Sequence, residues 1–343
     1  MKPISPPIEI IGGGLAGLSL GLALRRSGVD VTLFESGDYP RHRVCGEFIT
    51  GLDSATLSRL GLAPFLTDAL HHHEVAWFLD GSDRPARFQT LPAPALGVSR
   101  HALDARLAAA FVAAGGALRT HARATDLTPR AGRIFATGRR RGRSPWLGLK
   151  IHASGLVLTR DLELHLGEHA YVGLARIETG AVNVCGLFRR RALGAKGADL
   201  LLGYLQAAGL GALAMRLAAV ELDPGSFCAV AAVCFDRRVP ATNCVRLGDA
   251  CAMIPPFTGN GMAMAFQSAA LALDPLLAFA RGMQTWAITV RTINAALRRQ
   301  FRLRLATADA LHPFLFSPPQ QKLLRTLNRA RLLPLRPLYA ALH

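Results

Sequence analysis

Acidic residues, aromatic residues and paired cysteines are scarce in this sequence. Its 343 residues include 23 Asp and Glu against 40 Lys and Arg, and 7% of them are aromatic. The six cysteines never occur at C-x-x-C spacing, so we expect reduced structural thiols and neither a metal site nor a disulfide framework. Three consecutive histidines, His71 to His73, follow a helix-like segment, and we expect them to form a solvated connector.

A long apolar run and a secretory signal are also missing. No uninterrupted apolar run approaches the roughly 18 residues that cross a bilayer. Residues 1–10 contain one Lys and three prolines, without the apolar core of a signal peptide. We therefore expect a cytoplasmic protein. Half of the residues are hydrophobic, which predicts a folded globular chain with room for two domains.

The formal net charge of +17 informs about partners more than about the fold. Much of it lies in Arg139 to Arg143 and in the segment from Arg291 onward. The sequence has no zinc-finger, helix-turn-helix or aromatic-interleaved RNA-binding pattern, so we do not expect a nucleic-acid partner. A solvated basic face, an anionic membrane surface and an acidic carrier protein all stay open as explanations of the charge.

The stretch from Ile8 to Glu35 has the pattern of a dinucleotide-binding unit. It predicts a strand, a helix and a second strand, at Ile8 to Ile11, Leu15 to Ser27 and Val29 to Phe34. Gly12, Gly14 and Gly17 follow the first strand at G-x-G-x-x-G spacing as the helix begins. Such spacing after a strand and before a helix is typical of a phosphate-binding turn.

Each glycine of this turn has a separate task. Gly12 permits a tight turn, Gly14 lets the backbone approach a pyrophosphate, and Gly17 lets the helix lie close to the strand. The free N–H groups at the start of the helix attract phosphate. Glu35, about 20 residues past the glycines, is placed to accept hydrogen bonds from an adenosine ribose.

A second glycine-rich stretch, Cys244 to Ala272, is predicted to hold the other end of the same dinucleotide. A strand leads to Gly248 and Asp249, a proline-rich turn follows, and Gly259-Asn260-Gly261 precedes a long apolar helix. A carboxylate at a strand end can hold a polyol hydroxyl, and the start of the helix forms an anion site. A flavin needs both, because negative charge develops near its N1 and C2 carbonyl on reduction.

The segments between these stretches predict a cationic loop, helices and further strands. Arg41, His42 and Arg43 precede Cys45-Gly46-Glu47 in a loop where arginines can neutralise a pyrophosphate. Helices are predicted over 97–114, with Ser99 as its cap, over 198–220, and over 296–342 with breaks at Pro313, Pro318, Pro319 and Pro334. Strands are predicted at 117–125 and 132–138, on both sides of a turn at 80–83, and in an antiparallel sheet at 147–153, 161–166, 169–177, 181–188 and 225–235.

These patterns together predict an α/β fold. It consists of a Rossmann-like FAD-binding domain with a parallel sheet, an α+β second domain with an antiparallel sheet that holds substrate, and C-terminal helices. The predicted boundaries are 1–73 with 96–140 and 240–285 for the discontinuous FAD-binding domain, 74–95 with 141–239 for the substrate domain, and 286–343 for a helical cap over the FAD-binding domain.

Five features resemble the FAD-dependent oxidoreductase group of p-hydroxybenzoate-hydroxylase-like fold, which contains aromatic-ring hydroxylases, geranylgeranyl reductases and flavin-dependent halogenases. They are GGGLAG with Glu35, the RVCGE loop, Arg100, the ATG at Ala136 to Gly138, and LGDACAMIPPFTGNGMAMA, in the order found in that group. The resemblance implies the following FAD-binding residues: Gly12, Gly14, Leu15, Ala16, Gly17, Glu35, Arg43, Cys45, Gly46, Arg100, Ala124, Gly248, Asp249, Pro256, Gly259, Asn260, Gly261 and Met262.

The resemblance also implies roles and shows departures. Arg43 and Arg100 would lie near the pyrophosphate or the ribityl chain, Asp249 at the ribityl chain, and Ala124 would offer its backbone to adenine. Where many hydroxylases carry Asp-Gly, this sequence has Thr137-Gly138, so the usual direct reduction by NADPH is not implied. The W-x-W-x-I-P signature of halogenases and the Y-x-W-x-F-P-type motif of geranylgeranyl reductases are absent.

The leading hypothesis is an FAD-dependent monooxygenase that acts on a hydrophobic small molecule between the flavin and the predicted sheet at 146–188. NAD(P)H and an electron-donor protein are both candidate sources of electrons. The alternatives are a geranylgeranyl-reductase-like enzyme that reduces a double bond of an isoprenoid or lipid, and a flavin-binding accessory protein without turnover. No side chain is identified as the catalytic acid or base; Lys150, His152 and His165 lie on the predicted sheet, where structural roles are favoured.

Overall fold

The computed structural model describes residues 7–79, 81–140, 142–240, 242–330, 332 and 335–342. The strands are β1 (Ile8–Ile11), β2 (Val31–Phe34), β3 (Phe48–Ile49), β4 (Leu70–Phe78), β5 (Arg87–Gly97), β6 (Ala117–Arg119), β7 (Arg133–Phe135), β8 (Trp146–Ser154), β9 (Leu162–Gly167), β10 (Ala170–Arg176), β11 (Val182–Arg189), β12 (Glu221–Ala231) and β13 (Val245–Arg246). The helices are α1 (Leu15–Arg26), α2 (Ser54–Leu60), α3 (Arg100–Ala113), α4 (Gly197–Ala207), α5 (Gly211–Ala218), α6 (Gly261–Ala280), α7 (Trp286–Phe316), α8 (Pro318–Arg329) and α9 (Leu335–Leu342).

Two sheets organise these elements. The first sheet has five parallel strands in the order β13-β7-β1-β2-β6. The second has eight strands in the order β12-β8-β11-β10-β9-β4-β5-β3, antiparallel except where β4 pairs with β9. The prediction of an α/β fold with a parallel sheet, a mainly antiparallel sheet and C-terminal helices is confirmed. The predicted domain boundaries stay a prediction.

One face of the parallel sheet is buried against helices, in a single large core. Ile8 and Ile10 of β1 are fully buried, and α1 and α6 pack against this core. By length and composition α6 could cross a membrane, but 72% of its most apolar window is buried inside the protein. Such burial is typical of a core helix.

Several predicted elements have different bounds in the structure. His71 to His73 lie within β4 and not in a connector, and His72 is buried with its ring nitrogen 2.8 Å from the Arg176 carbonyl oxygen. The strand predicted over 117–125 ends at Arg119, because the chain turns at His121, whose φ is +52°. The strands around the turn at 80–83 extend over β4 and β5, and Asp80 lies outside the described residues.

Two predicted helices and one predicted strand also have different bounds in the structure. The helix predicted over 198–220 is two helices, α4 and α5, since Gly209 between them takes a φ of +74° that favours glycine. The strand predicted over 225–235 is β12, which begins earlier and carries a bulge. α7 begins at Trp286 and continues through Pro313, which lies in its last turns. The predicted break at Pro334 lies outside the described residues.

The C-terminal helices lie over both sheets. α7 packs along α6 through Ile293, Leu297 and Phe301, while Leu315 and Phe316 at its end pack against the second sheet. Helices α8 and α9 then cover the space between the sheets, instead of capping the first sheet alone. This arrangement encloses the cavity described next.

Candidate functional site

A cavity of about 1320 Å³ lies between the two sheets. All but two of the eighteen residues predicted to bind FAD line it. The exceptions are Gly17, which packs beneath the first turn, and Asn260, whose side chain bonds elsewhere. The volume exceeds the several hundred Å³ typical of a pocket for one small ligand. The cavity therefore has room for a dinucleotide together with a second molecule.

The first glycine turn has the geometry that the sequence predicts. Gly12 has a φ of +110°, and a Cβ there would lie 2.2 Å from the Ala136 carbonyl oxygen. A Cβ on Gly17 would lie 2.0 Å from the Gly12 carbonyl oxygen, so both positions require glycine. A Cβ on Gly14 would meet nothing within 4 Å. Gly14, the N-cap of α1, thus presents open space to the cavity, with no side chain capping the free N–H groups behind it.

Glu35 lies at the end of β2 and closes the turn from the opposite side. Its Oε2 accepts a hydrogen bond from the Gly13 N–H at 2.8 Å, and its Oε1 accepts from Gly37 and Arg41. Burial alone would raise the pKa of Glu35, but Arg41 and the two N–H groups hold it below its ordinary value. Since Oε1 is occupied, Oε2 is the oxygen with acceptor capacity left for a ribose hydroxyl.

Positive side chains lie beside this turn. Arg43 donates to Asp104 at 3.0 Å, and Arg100 makes a bidentate contact with the same carboxylate at 2.8 Å. Asp104 is therefore the ion-pair partner of both arginines. Burial and the charge of Arg100 lower the pKa of Arg43; its buried Nη2 lies 3.6 Å from Glu35 Oε2 in an ion pair but makes no hydrogen bond among the described residues. An anion at this position would supply the missing acceptor.

The second glycine turn meets the first across a narrow gap. A Cβ on Gly248 would lie 3.3 Å from the Ala16 side chain of α1 and 3.7 Å from Ala265 of α6. Asp249 lines the cavity, and burial raises the pKa of its carboxyl group. Among the described residues no hydrogen bond or ion pair occupies that carboxylate, so a polyol hydroxyl can donate to it.

The start of α6 opens into the same cavity. Gly259 has a φ of +70° and lies against the Phe48 ring, and a Cβ on Gly261 would meet nothing within 4 Å. Asn260 is the N-cap residue but does not cap the helix. Its side chain instead bonds to Thr50 at 2.7 Å and to the Leu342 carbonyl at 2.5 Å, which ties α9 to this loop. The N–H groups of the first turn of α6 are left for an anionic ligand.

These features fit an extended dinucleotide that carries a flavin. The Gly12 turn and Oε2 of Glu35 suit the adenosine half, and Arg43 Nη2, which makes no hydrogen bond among the described residues, suits the pyrophosphate. Asp249 and the start of α6 suit the ribityl chain and the flavin ring.

A buried charged cluster joins the cofactor side to the second sheet. Glu47, buried with a φ of +54°, accepts from the Arg100 N–H at 3.0 Å and lies 2.6 Å from His152 Nε2. The Lys150 ammonium, fully buried, lies 3.6 Å from Glu47 and 3.0 Å from His42 Nδ1. Burial, followed by the charge of Lys150, lowers the pKa of His42 to about 4. His42 is therefore neutral, and its Nδ1 accepts a hydrogen bond from the Lys150 ammonium.

This cluster has ligand geometry but an unsuitable charge for a metal ion. One ligand atom from each of His42, Glu47 and His152 lies within 4.8 Å of the others. The ammonium of Lys150 lies against two of the three, so a dication there would meet a positive charge at close range. His165, also named from the sequence, stacks on Phe78 and bonds to Glu163, and it does not line the cavity.

The second sheet forms the other wall of the cavity. Tyr171 on β10 is buried, and its hydroxyl has no hydrogen-bond partner among the described residues. Burial raises the pKa of the Tyr171 hydroxyl, and the nearby Phe257 amide partly offsets this increase. Phe257 directly precedes the Gly259 loop, with its ring 6.3 Å from that of Tyr171. The hydroxyl is thus an unused polar group close to the predicted flavin end.

Sequence reasoning missed several residues of this cavity. Arg123 and Tyr171 line it, as does a set of apolar residues on the C-terminal helices: Leu311, Phe314, Leu315, Leu324, Leu327, Leu338 and Leu342. Tyr39 donates to the Gly13 carbonyl at 2.5 Å and covers the turn. Arg41, which the sequence placed in a loop able to neutralise a pyrophosphate, also lines the cavity. The helical leucines gave no signal, because core-facing and cavity-facing leucines have the same spacing.

Sequence comparisons match part of the chain. A family model for an NAD(P)-binding Rossmann-like domain matches residues 10–46. The menaquinone reductase of Mycolicibacterium smegmatis is 29% identical over 132 residues, which are 38% of this chain and 32% of that protein. The menaquinone reductase of Mycobacterium tuberculosis is 32% identical over 68 residues, 20% of this chain and 17% of that protein. The matches thus span at most about a third of these curated relatives.

Structural comparisons match nearly the whole chain. HpxO of Klebsiella pneumoniae, solved with FAD and uric acid, has a TM-score of 0.75 at 15% identity, covering 98% of this chain and 96% of that one. PqsL of P. aeruginosa, solved with 2-aminobenzoylacetate, has a TM-score of 0.71 at 17% identity, covering 92% and 98%. The p-nitrophenol 4-monooxygenase PnpA of Pseudomonas putida has a TM-score of 0.73 at 13% identity, covering 98% of both chains. The chain therefore has the fold of FAD-dependent monooxygenases, the p-hydroxybenzoate-hydroxylase-like fold that its two glycine stretches resemble.

Proposed function

We propose that this protein is an FAD-dependent monooxygenase that acts on a hydrophobic small molecule. One observation carries the proposal: a single cavity joins the Gly12 turn, the start of α6 and the inner face of the second sheet. A dinucleotide held by the two turns would have its ring end next to that face. A substrate on the sheet would then lie beside the reactive part of the cofactor.

The chain's own residues bind, orient and exclude water. Arg43 neutralises the pyrophosphate, Glu35 orients the ribose, and Asp249 accepts hydrogen bonds from the ribityl hydroxyls. The start of α6 stabilises negative charge on the flavin ring. Tyr171 offers its free hydroxyl to a polar atom of the substrate. Reduced FAD bound there would supply the two electrons needed to split O2, so that one oxygen atom enters the organic substrate and the other leaves as water.

The test measures whether an oxygen atom from O2 is incorporated into the product. Protein reconstituted with FAD is reduced with dithionite under anaerobic conditions and mixed with a panel of apolar aromatic and alkyl compounds and isotopically heavy O2. A product that carries one heavy oxygen atom is expected. Product with two added hydrogens and no heavy oxygen would contradict monooxygenation. An Asp249→Asn variant, which keeps the side-chain size, is expected to bind FAD more weakly by roughly tenfold.

A second candidate function is the reduction of a double bond in an isoprenoid or lipid. It is supported by the partial similarity to menaquinone reductases and by Thr137 at the position where many hydroxylases carry Asp. In this case electrons would come from a donor protein and activity would persist without O2. Turnover under strict anaerobic conditions distinguishes this candidate from the first.

A flavin-binding protein without turnover is the third candidate. The visible spectrum before and after anaerobic addition of NADPH or NADH separates an inert bound flavin from a reducible one, and shows whether a nicotinamide serves as donor. A donor protein, an acidic carrier protein and an anionic membrane surface are the partners that we propose for the basic face. Exposed Arg298, Arg299 and Arg302 of α7 contribute to that face.

A further inference from the structure

We propose that the substrate is an elongated apolar carboxylic acid whose carboxylate is bound by Arg87 at the far end of the cavity. This inference rests on the proposed function, since it names the substrate class of the same site. It comes from the order of side chains across the second sheet and from the partners of Arg87.

One row of residues crosses seven strands of the second sheet on the cavity side. Each residue of the row is paired with the next one on the neighbouring strand, in the order Arg87, Trp77, Leu164, Gly173, Cys185, Lys150 and Cys228. Residues paired in register across neighbouring strands share one face. All of them except Lys150, which is covered by the loop at 42–47, line the cavity. The row therefore has a cation near each end and apolar or small residues between them.

The loop at 42–47 divides this row into two parts. Val44 lies against Gly148, where an added Cβ would be 2.9 Å from its side chain, and the Cys45 carbonyl accepts from Asn183. The loop thus covers β8 and β11, the end next to the predicted flavin. The part over β10, β9, β4 and β5 is left open to a substrate.

The open part is a compartment with apolar walls. Its floor includes Trp77, Leu164 and, near the middle, Gly173, where a Cβ would meet nothing closer than 4.0 Å. Its roof is the set of cavity-lining residues on α7, α8 and α9 named above. From β10 to β5 there are three strand spacings of about 4.8 Å, roughly 14 Å in all. A compartment with this length and lining fits an extended alkyl or aryl chain.

The far end of the compartment is suited to an anion. Arg87 donates from Nη1 to the Asn328 side chain at 3.1 Å, and among the described residues it takes part in no ion pair within 4 Å. The side-chain oxygen of Gln89, two residues along the same face, accepts from the Trp77 ring N–H at 3.2 Å, so its amide N–H groups are available as donors. The planar guanidinium matches a carboxylate in a bidentate contact.

The polarity of the compartment then orients the substrate. With its carboxylate at Arg87, an elongated acid would place its other end near Tyr171 and the Gly259 loop. The Tyr171 hydroxyl would bond to a polar atom there, and the apolar middle would exclude water. Binding to Arg87 would thereby determine which carbon of the chain lies beside the flavin.

The test compares ligands that differ only in the head group. Dodecanoic acid, dodecanol and dodecylamine are titrated by calorimetry into the FAD-loaded protein, without reductant. The wild-type protein is expected to prefer the acid. Arg87→Met should weaken binding of the acid by about tenfold or more, with dodecanol changed by less than about twofold. Arg87→Glu should reverse the preference towards dodecylamine.

Arg84→Met is the matched control, because Arg84 is exposed near β5 and does not line the cavity. It should leave all three affinities unchanged, and a thermal melt of each variant checks folding. Equal binding of acid and alcohol by the wild-type protein, unchanged acid binding by Arg87→Met, or no binding of any ligand would each overturn the inference. Binding is measured without turnover, so none of these results bears on oxygen transfer.

Discussion

At the scale of single residues, Glu47 connects the cofactor side to the substrate side. Burial alone would raise the pKa of Glu47, but His152 and Lys150 outweigh burial and hold it below its ordinary value. The carboxylate is therefore charged, and it needs all of its partners because no water reaches it. The partners come from α3 and β8, so this one side chain holds the loop at 42–47 against both.

Lys150→Met should expose this dependence. Removing one partner of a buried ion pair typically costs roughly 3–5 kcal/mol in the free energy of unfolding. The pKa of His42, about 4, should rise, since the charge of Lys150 is one of the causes that lower it. Urea unfolding and an NMR titration of His42 measure the two effects. Lys196→Met, at an exposed lysine, is the control and should change neither; an unaltered pKa of His42 in Lys150→Met would contradict the assignment.

At the scale of elements, the two helices α1 and α6 determine the cofactor end of the cavity. Both begin at glycine-rich turns without a side-chain cap, and they pack side by side through Ala16, Gly248 and Ala265. The two sets of free N–H groups therefore lie in one cavity. The spacing of the glycines predicts each turn, because a turn is a local structure. It does not predict the contact between the turns, which depends on packing over more than 200 residues of chain.

Gly17→Ala tests the contact beneath the first turn. The new Cβ would lie 2.0 Å from the Gly12 carbonyl oxygen, so Gly12 or α1 must shift. We expect a loss of roughly 1–3 kcal/mol in the free energy of unfolding, even after the gain in helix propensity, and weaker FAD binding. Denaturant unfolding and fluorescence titration with FAD measure both.

The control for this variant is Gly211→Ala at the start of α5, where a Cβ would meet nothing within 4 Å. It should be neutral or slightly stabilising and leave FAD binding unchanged. A Gly17→Ala protein as stable as the wild type, with normal FAD affinity, would show that the helix does not rest on Gly12.

At the scale of the whole molecule, burial of histidines makes stability depend on pH. Burial lowers the pKa of His312 to about 4, and burial followed by Lys150 does the same for His42. Between pH 4 and the ordinary value of 6.5 the unfolded chain binds protons that the folded chain does not, so stability rises with pH in this window. Glu163, with a pKa lowered to about 2 against burial by His165 and Arg216, adds a further loss of stability below pH 4.5.

His312→Phe should reduce this dependence on pH. The His312 ring packs among Trp146, Phe235 and Phe316, and its buried Nε2 has no partner among the described residues, so Phe fills the space without breaking a bond to that atom. Urea unfolding from pH 4 to pH 7 should show a shallower slope than the wild type. His71→Gln, at an exposed histidine, should keep the full slope. An unchanged slope in His312→Phe would contradict the assignment.

The sequence by itself determined the parts of this protein that depend on neighbouring residues. The turn at Gly12, the N-cap at Ser99 and the glycine-rich start of α6 each follow from a short pattern, because backbone conformation and capping are local effects. Sixteen of the eighteen residues that the sequence predicts to bind FAD line the cavity, since they lie within such patterns.

Only the tertiary structure decided what lies on the substrate side. Arg87 and Gly173 are 86 positions apart in the chain, and they share one face of the second sheet because of strand register, which no short pattern encodes. The tertiary structure likewise placed the C-terminal helices over both sheets and buried His72, which the sequence alone assigned to a connector. Contacts between distant segments depend on how buried apolar surfaces fit together, and this fit is a property of the whole fold.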